Sequence, residues 1–110
     1  MEQVLIVITN LADVAGARQL GRALVERRLA ACVNILPAVE SVYRWRDAVE
    51  EASEVTLLIK TTAARYAELE EAIRALHPYQ LPELIALPVS AGLPAYLQWI
   101  AQETRKEIDV

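Results

Sequence analysis

Two extended stretches, 31–46 and 49–61, meet across a short polar break around Arg46-Asp47-Ala48, and together they constrain the fold of these 110 residues more than any other feature. In the first, Val33, Ile35, Val39, Tyr43 and Trp45 share one parity, while Cys32, Asn34, Leu36 and Val42 share the other. The second ends in alternating Val55, Leu57 and Ile59. Period-two patterning on both sides of a short break predicts a β-hairpin. Arms of roughly 14 residues span about 45 Å, where strands usually run roughly 5 to 6 residues, so the hairpin outruns its own domain. Its overhang carries Tyr43, Trp45 and Val49, which are costly to leave wet, and they are therefore expected to pack on a neighbouring subunit. Pro37 removes one ladder donor from the first arm, predicting either a bulge or an edge segment, with a bend there.

The remaining elements fall around the hairpin. Val4-Leu5-Ile6-Val7-Ile8-Thr9 is a short β-branched run suited to an inner strand, with a break expected from Asn10 to Asp13. Asp13 is a good N-cap for a helix that turns Ala17, Leu20, Gly21, Leu24 and Val25 inward. Thr62 is expected to cap a second helix with Tyr66, Leu69, Ile73 and Leu76 inward, ended near His77 by Pro78. Leu84-Ile85-Ala86-Leu87 forms a short strand closed by Pro88, and Pro94 opens a last helix with Tyr96, Leu97 and Ile100 inward. The order strand, helix, strand, strand, helix, strand, helix predicts an α+β fold. It is a ferredoxin-like split βαβ sandwich with a long β-hairpin and an extra C-terminal helix, one domain over 1–110.

Composition narrows the class. Hydrophobic residues make up 55% of the chain although Phe is absent, and so much apolar surface in so short a chain again predicts an obligate oligomer. Net charge is −4 and the arginines are scattered, so the counterion-release term that drives nucleic-acid binding is missing. No apolar run is long enough for a bilayer, and neither a membrane nor a nucleic acid is expected as partner. One cysteine and no positively charged leader segment give a cytoplasmic expectation.

Among the candidate chemical groups, Cys32 beside Asn34 is a soft metal ligand by type, but it lacks a paired ligand at short spacing and also suits a small buried hydrophobe. His77, the only imidazole, stands at a helix end within a turn locked by Pro78 and Pro82, with Tyr79 and Glu83. An imidazole, a phenol and a carboxylate held that way can coordinate a cation or a small polar ligand, or serve as a structural turn. Glu50, Glu51 and Glu54 form the densest acidic group and suit a solvated face or a weak attraction for divalent cations. Lys60, after three apolar residues at a strand end, suits snorkelling or anion binding. The chain has no Gly-x-Ser-x-Gly elbow around Ser41, Ser53 or Ser90, no phosphate-cradling loop among its three glycines, and no support for a Cys32–His77 nucleophilic pair. No organic cofactor is implied and no enzyme activity is expected.

The ordered set Leu29-Ala30-Ala31-Cys32-Val33-Asn34, Pro37, Tyr43-x-Trp45, Glu54, Ile59-Lys60-Thr61, His77-Pro78-Tyr79, Pro82-Glu83, Pro88 and Tyr96-Leu97-x-Trp99 resembles the divalent-cation tolerance (CutA) family from Val4 to about Ile100. The resemblance implies a cytosolic homotrimer of ferredoxin-like subunits that uses the long hairpin between subunits, an architecture similar to that of the PII signalling proteins. It implies copper or another divalent cation as ligand, with His77, Glu83 and Cys32 matching the family's histidine, glutamate and strand cysteine. Tyr43, Trp45, Lys60 and Tyr79 then fall at an inter-subunit cleft or interface. Two departures stand out: Ile8 occupies a first-strand position where some members place a copper-ligating cysteine, and Asp47-Ala48 replaces a frequent Gly-Lys. The expectation is a trimer that binds metal or a small ligand in clefts between subunits. The alternative is a PII-like signalling or interaction trimer whose clefts take a metabolite or partner protein, with metal incidental.

Overall fold

In the computed structural model, which describes residues 2–106, the apolar run beginning at Val4 forms β1 (Val4–Leu11), an inner strand of a four-stranded sheet. It continues two residues past Thr9, through the position expected to break. Asp13 then caps α1 (Val14–Glu26), its carboxylate accepting from the Gly16 N–H at 2.6 Å. The helix closes with Arg28 in the left-handed region (φ 58°), the Arg28 N–H bonding to Val25 O and the Leu29 N–H to Leu24 O, a Schellman arrangement. There follow β2 (Cys32–Trp45), β3 (Ala48–Thr62), a short 3₁₀ turn (Ala63–Arg65), α2 (Tyr66–Leu76), β4 (Ile85–Pro88) and α3 (Pro94–Glu103).

The strand order is β2-β3-β1-β4 and every neighbouring pair is antiparallel, so β1 and β2 run parallel with β3 between them. This is the ferredoxin-like split βαβ arrangement the element order predicts, with α3 added. One sheet face carries Val7, Leu57 and Ile59, buried with Leu20 and Leu24 of α1 and Leu69 and Ile73 of α2. Each such side chain stabilises the fold by about 1.5–3 kcal/mol. Gly21 lets α1 lie close on β2, since a Cβ there would come within 3.2 Å of Val33 Cγ1. On the opposite face α3 covers only one end, where Ile100 packs with Val4 and Ala31. The rest of that face shows half-buried Ile6, Ile8 and Leu58 and exposed Leu36, Ile85 and Leu87.

The hairpin pairs from Cys32 opposite Lys60 to Trp45 opposite Ala48, and it stretches the molecule to 50 Å along its long axis. Its turn is only Arg46-Asp47, both at positive φ (49° and 68°), as a primed two-residue turn requires. The predicted bulge lies at Pro37-Ala38: Leu36 is opposite Thr56, Val39 is opposite Glu54, and Ala38 has φ 60°. Three steps on β2 thus match two on β3, and side-chain parity inverts across the bulge. Val33 and Ile35 face the helices, whereas Val39, Tyr43 and Trp45 come out on the other face, with Glu54 and Thr56. The single-parity grouping expected from the sequence is corrected accordingly.

Smaller corrections follow from packing. Val25 and Leu76 lie in the last turns of their helices and are exposed, and Tyr96 is partly exposed, its hydroxyl meeting Lys60 of β3, while Ile100 is buried. Thr62 precedes the 3₁₀ turn but makes no side-chain capping bond.

Thr9 faces the core between Val7 and Leu11, and its fully buried hydroxyl has no hydrogen-bond partner among the described residues. Thr9→Val removes that unpaired group at nearly constant volume and is expected to raise the unfolding free energy by about 1 kcal/mol. Urea denaturation with an unchanged m-value checks it.

Candidate functional site

α2 ends at Leu76 because Pro78 drives His77 into extended backbone (φ −77°, ψ 134°). The His77 ring is buried, with Nε2 2.7 Å from the Asn10 carbonyl oxygen and Nδ1 accepting from the Tyr79 N–H at 3.1 Å. A carbonyl can only accept, so Nε2 carries the hydrogen and both ring nitrogens are engaged within the chain. His77 therefore ties the Pro78–Pro82 turn to β1. The Tyr79 ring meets the imidazole edge-on at 4.8 Å between centroids.

Asn10 is the hub on the strand side. Its carbonyl takes the His77 bond, its amide Nδ2 donates to Glu83 Oε1 at 3.0 Å, and its Oδ1 accepts from the Thr56 hydroxyl at 2.6 Å. Across the same opening the Tyr79 hydroxyl donates to Glu54 Oε2 at 3.2 Å. Burial and the Glu54 carboxylate push the Tyr79 phenol above its ordinary value of 10.0, which keeps it a neutral donor. These groups open onto a cleft of about 940 Å³ between the distal half of the hairpin and the 79–83 turn, with Tyr43, Trp45 and Leu81 among its walls. Trp45 also meets the Arg46 guanidinium, 5.4 Å from its ring centroid.

The structure thus brings Glu83, Tyr79, Tyr43 and Trp45 to one cleft and sets His77 behind it as the anchor of Tyr79 and Asn10. Cys32 and Lys60 are not there. They pair in register four residues farther along β3 from Thr56, about 13 Å at strand rise. Lys60 Nζ donates to the Tyr96 hydroxyl at 3.1 Å, and that bond, with the Cys32 thiol, raises the ammonium against the lowering effect of burial. Cys32 is half-buried, its sulfur 4.0 Å from Asn34 Oδ1. Among the described residues no three histidine, cysteine, aspartate or glutamate side chains converge as a metal-binding group. Asn10 is the residue that sequence reasoning missed, and Glu54 was read as one of an acidic group. Continued alternation through Thr9 and Leu11 was the signal for Asn10, and Glu54 was masked by its acidic neighbours.

A family model described as CutA1 divalent ion tolerance protein matches residues 5–103. The divalent-cation tolerance protein CutA of Thermus thermophilus is 46% identical over 104 residues, 94% of this chain and 99% of that protein. Protein CutA of Mus musculus is 49% identical over 88 residues, covering 80% of this chain but only 50% of the mouse protein. Among solved structures, that of the Thermus thermophilus divalent cation tolerance protein superposes with a TM-score of 0.91 at 44% identity, covering 93% of this chain and 99% of that one. CutA1 from Oryza sativa superposes with a TM-score of 0.92 at 36% identity, covering 96% and 97%. This chain therefore spans nearly all of the bacterial relative and about half of the mouse one.

Two expectations come from this geometry. His77→Ala leaves the buried Asn10 carbonyl without its donor and is expected to cost about 1–3 kcal/mol in denaturant unfolding. Because the folded-state value of Tyr79 is raised, its contribution to stability is complete below the ordinary 10.0 and is lost as pH rises through the raised value. Glu54→Gln removes one cause of that rise, so ultraviolet titration should show the Tyr79 phenol ionising at lower pH. Tyr66, raised by burial and by Glu70, should stay where it is.

Proposed function

The chain belongs to the CutA1 divalent ion tolerance family, and from that premise we propose that it acts as a trimer, binding a divalent cation, copper among the candidates, or a small polar ligand in clefts between its subunits. The observation that carries this reading is the convergence of Glu54, Tyr79 and Glu83 on one cleft walled by the overhanging hairpin. Assembly is supported by the uncovered apolar sheet face, with Leu36, Ile85 and Leu87 exposed, and by Val42 and Val49 at 67% and 65% exposure on the overhang. The reading is of binding, with no catalytic step.

Glu83 and Glu54 supply the carboxylates for a cation. His77 serves them by holding Asn10 and Tyr79, since ligation through its ring would sacrifice one of two buried bonds. With no three-ligand group among the described residues of one chain, a cation needs further ligands from a second subunit. That same observation, with the apolar walls of the cleft, favours the second reading, a PII-like interaction trimer that takes a metabolite or partner protein there.

Light scattering and calorimetric titration of copper and zinc chlorides into the metal-free protein test the proposal. Three chains per particle are expected, with saturable binding weakened by about tenfold or more in Glu83→Gln. A monomer, or unsaturable binding equal in both proteins, would overturn the metal reading and leave the second one to be tested with small molecules.

A further inference from the structure

The cleft presents two carboxylates, Glu54 and Glu83, and three aromatic rings, Tyr43, Trp45 and Tyr79, with no lysine, arginine or histidine among the described residues that line it. From that combination we propose that its ligand is a small organic cation, an ammonium group on an apolar body. The inference rests on the reading of this cleft as a binding site and names the class of molecule it takes.

Charge sets the sign of the ligand. Two carboxylates against one neighbouring base, the Arg46 guanidinium beside Trp45, leave the cleft net negative, which repels anions and attracts cations. Both are already oriented, Glu83 by the Asn10 amide through Oε1 and Glu54 by the Tyr79 hydroxyl through Oε2, so each keeps a second oxygen to accept from an ammonium. Orientation in advance lowers the entropic cost of binding.

The walls and size decide between a metal ion and an organic cation. Divalent ions demand several oxygen or nitrogen ligands at bonding distance, and one chain does not gather three, so a metal requires further ligands from a second subunit. An organic cation needs only one or two carboxylates together with π faces. A cleft of about 940 Å³ is also of small-molecule size, where pockets run roughly 300–1,000 Å³. Leu81 and Pro82 supply apolar contact for the body of such a ligand. The chain's own Arg46 guanidinium over the Trp45 ring shows this indole already accepting a cation.

The test is calorimetry, with tryptophan fluorescence in parallel, on the full chain with phenethylammonium chloride, with 3-phenylpropionate as a probe of nearly the same apolar body and opposite charge, and with copper chloride. Saturable binding of the ammonium and none of the carboxylate is expected. Glu83→Gln should weaken it about tenfold or more, and Trp45→Leu should also weaken it. Added salt should weaken it as well. Light scattering and circular dichroism check each variant, and Glu54→Gln replaces Trp45→Leu if the latter alters assembly. Equal binding of the two organic probes, or ammonium binding indifferent to the variants, overturns the inference. Copper binding that depends on Glu83 without ammonium binding overturns this inference and leaves the metal reading intact. Failure of all three probes removes both.

Discussion

One extra residue in β2 decides how the rest of the molecule can work. The bulge at Pro37-Ala38 inverts side-chain parity, so a single strand buries Val33 and Ile35 against the helices and then turns Tyr43 and Trp45 toward Glu54 and Asn10. Without it Tyr43 and Trp45 would lie on the helix-covered side of the sheet, and the cleft would lack two of its three aromatic walls. Ala38 adopts a left-handed conformation there (φ 60°), at a cost of about 1–2 kcal/mol for a residue with a Cβ. That cost is offset by ladder bonds and packing on either side of the defect.

The second constraint is the knot between β1 and the turn after α2. His77 bonds to the Asn10 backbone and to the Tyr79 N–H, while the Asn10 side chain reaches Glu83 and Thr56. A buried imidazole thereby carries positional information from the core to two exposed groups, Tyr79 and Glu83. Prolines at 78 and 82 stiffen the same turn, so little of its conformational freedom remains. The importance of His77 is therefore compatible with its having no ligand of its own. Membership in a divalent ion tolerance family does not require every prominent histidine to be a metal ligand.

In the proposed trimer the hairpin couples assembly to the cleft. Its distal half lies beyond the helices that shield the proximal half, and it presents valines and aromatics to water while also forming one wall of the cleft. A neighbouring subunit that covers these groups would at once stabilise the overhang and complete the cleft, because the same residues serve both purposes.

Much of the fold was legible in the sequence because it depends on local rules: periodicity of two and 3.6 residues, Asp13 as a cap, Pro78 as a stop, and Pro37 as a break in a ladder. From these came the element order, the long hairpin, the position of the bulge and the split βαβ topology. Which groups meet was a different matter. Parity beyond Pro37 could not be assigned without knowing that the defect adds one residue, and Asn10 and Glu54 are separated in sequence by 44 positions that only strand pairing spans. The sequence by itself determined the elements and the rigid turn that holds His77, Tyr79 and Glu83, because those follow from neighbours in the chain. Tertiary structure alone decided that His77 faces inward as an anchor, that Cys32 and Lys60 stand apart, and that the hairpin and turn enclose one cleft, because those outcomes depend on register across strands and on which face of the sheet the helices cover.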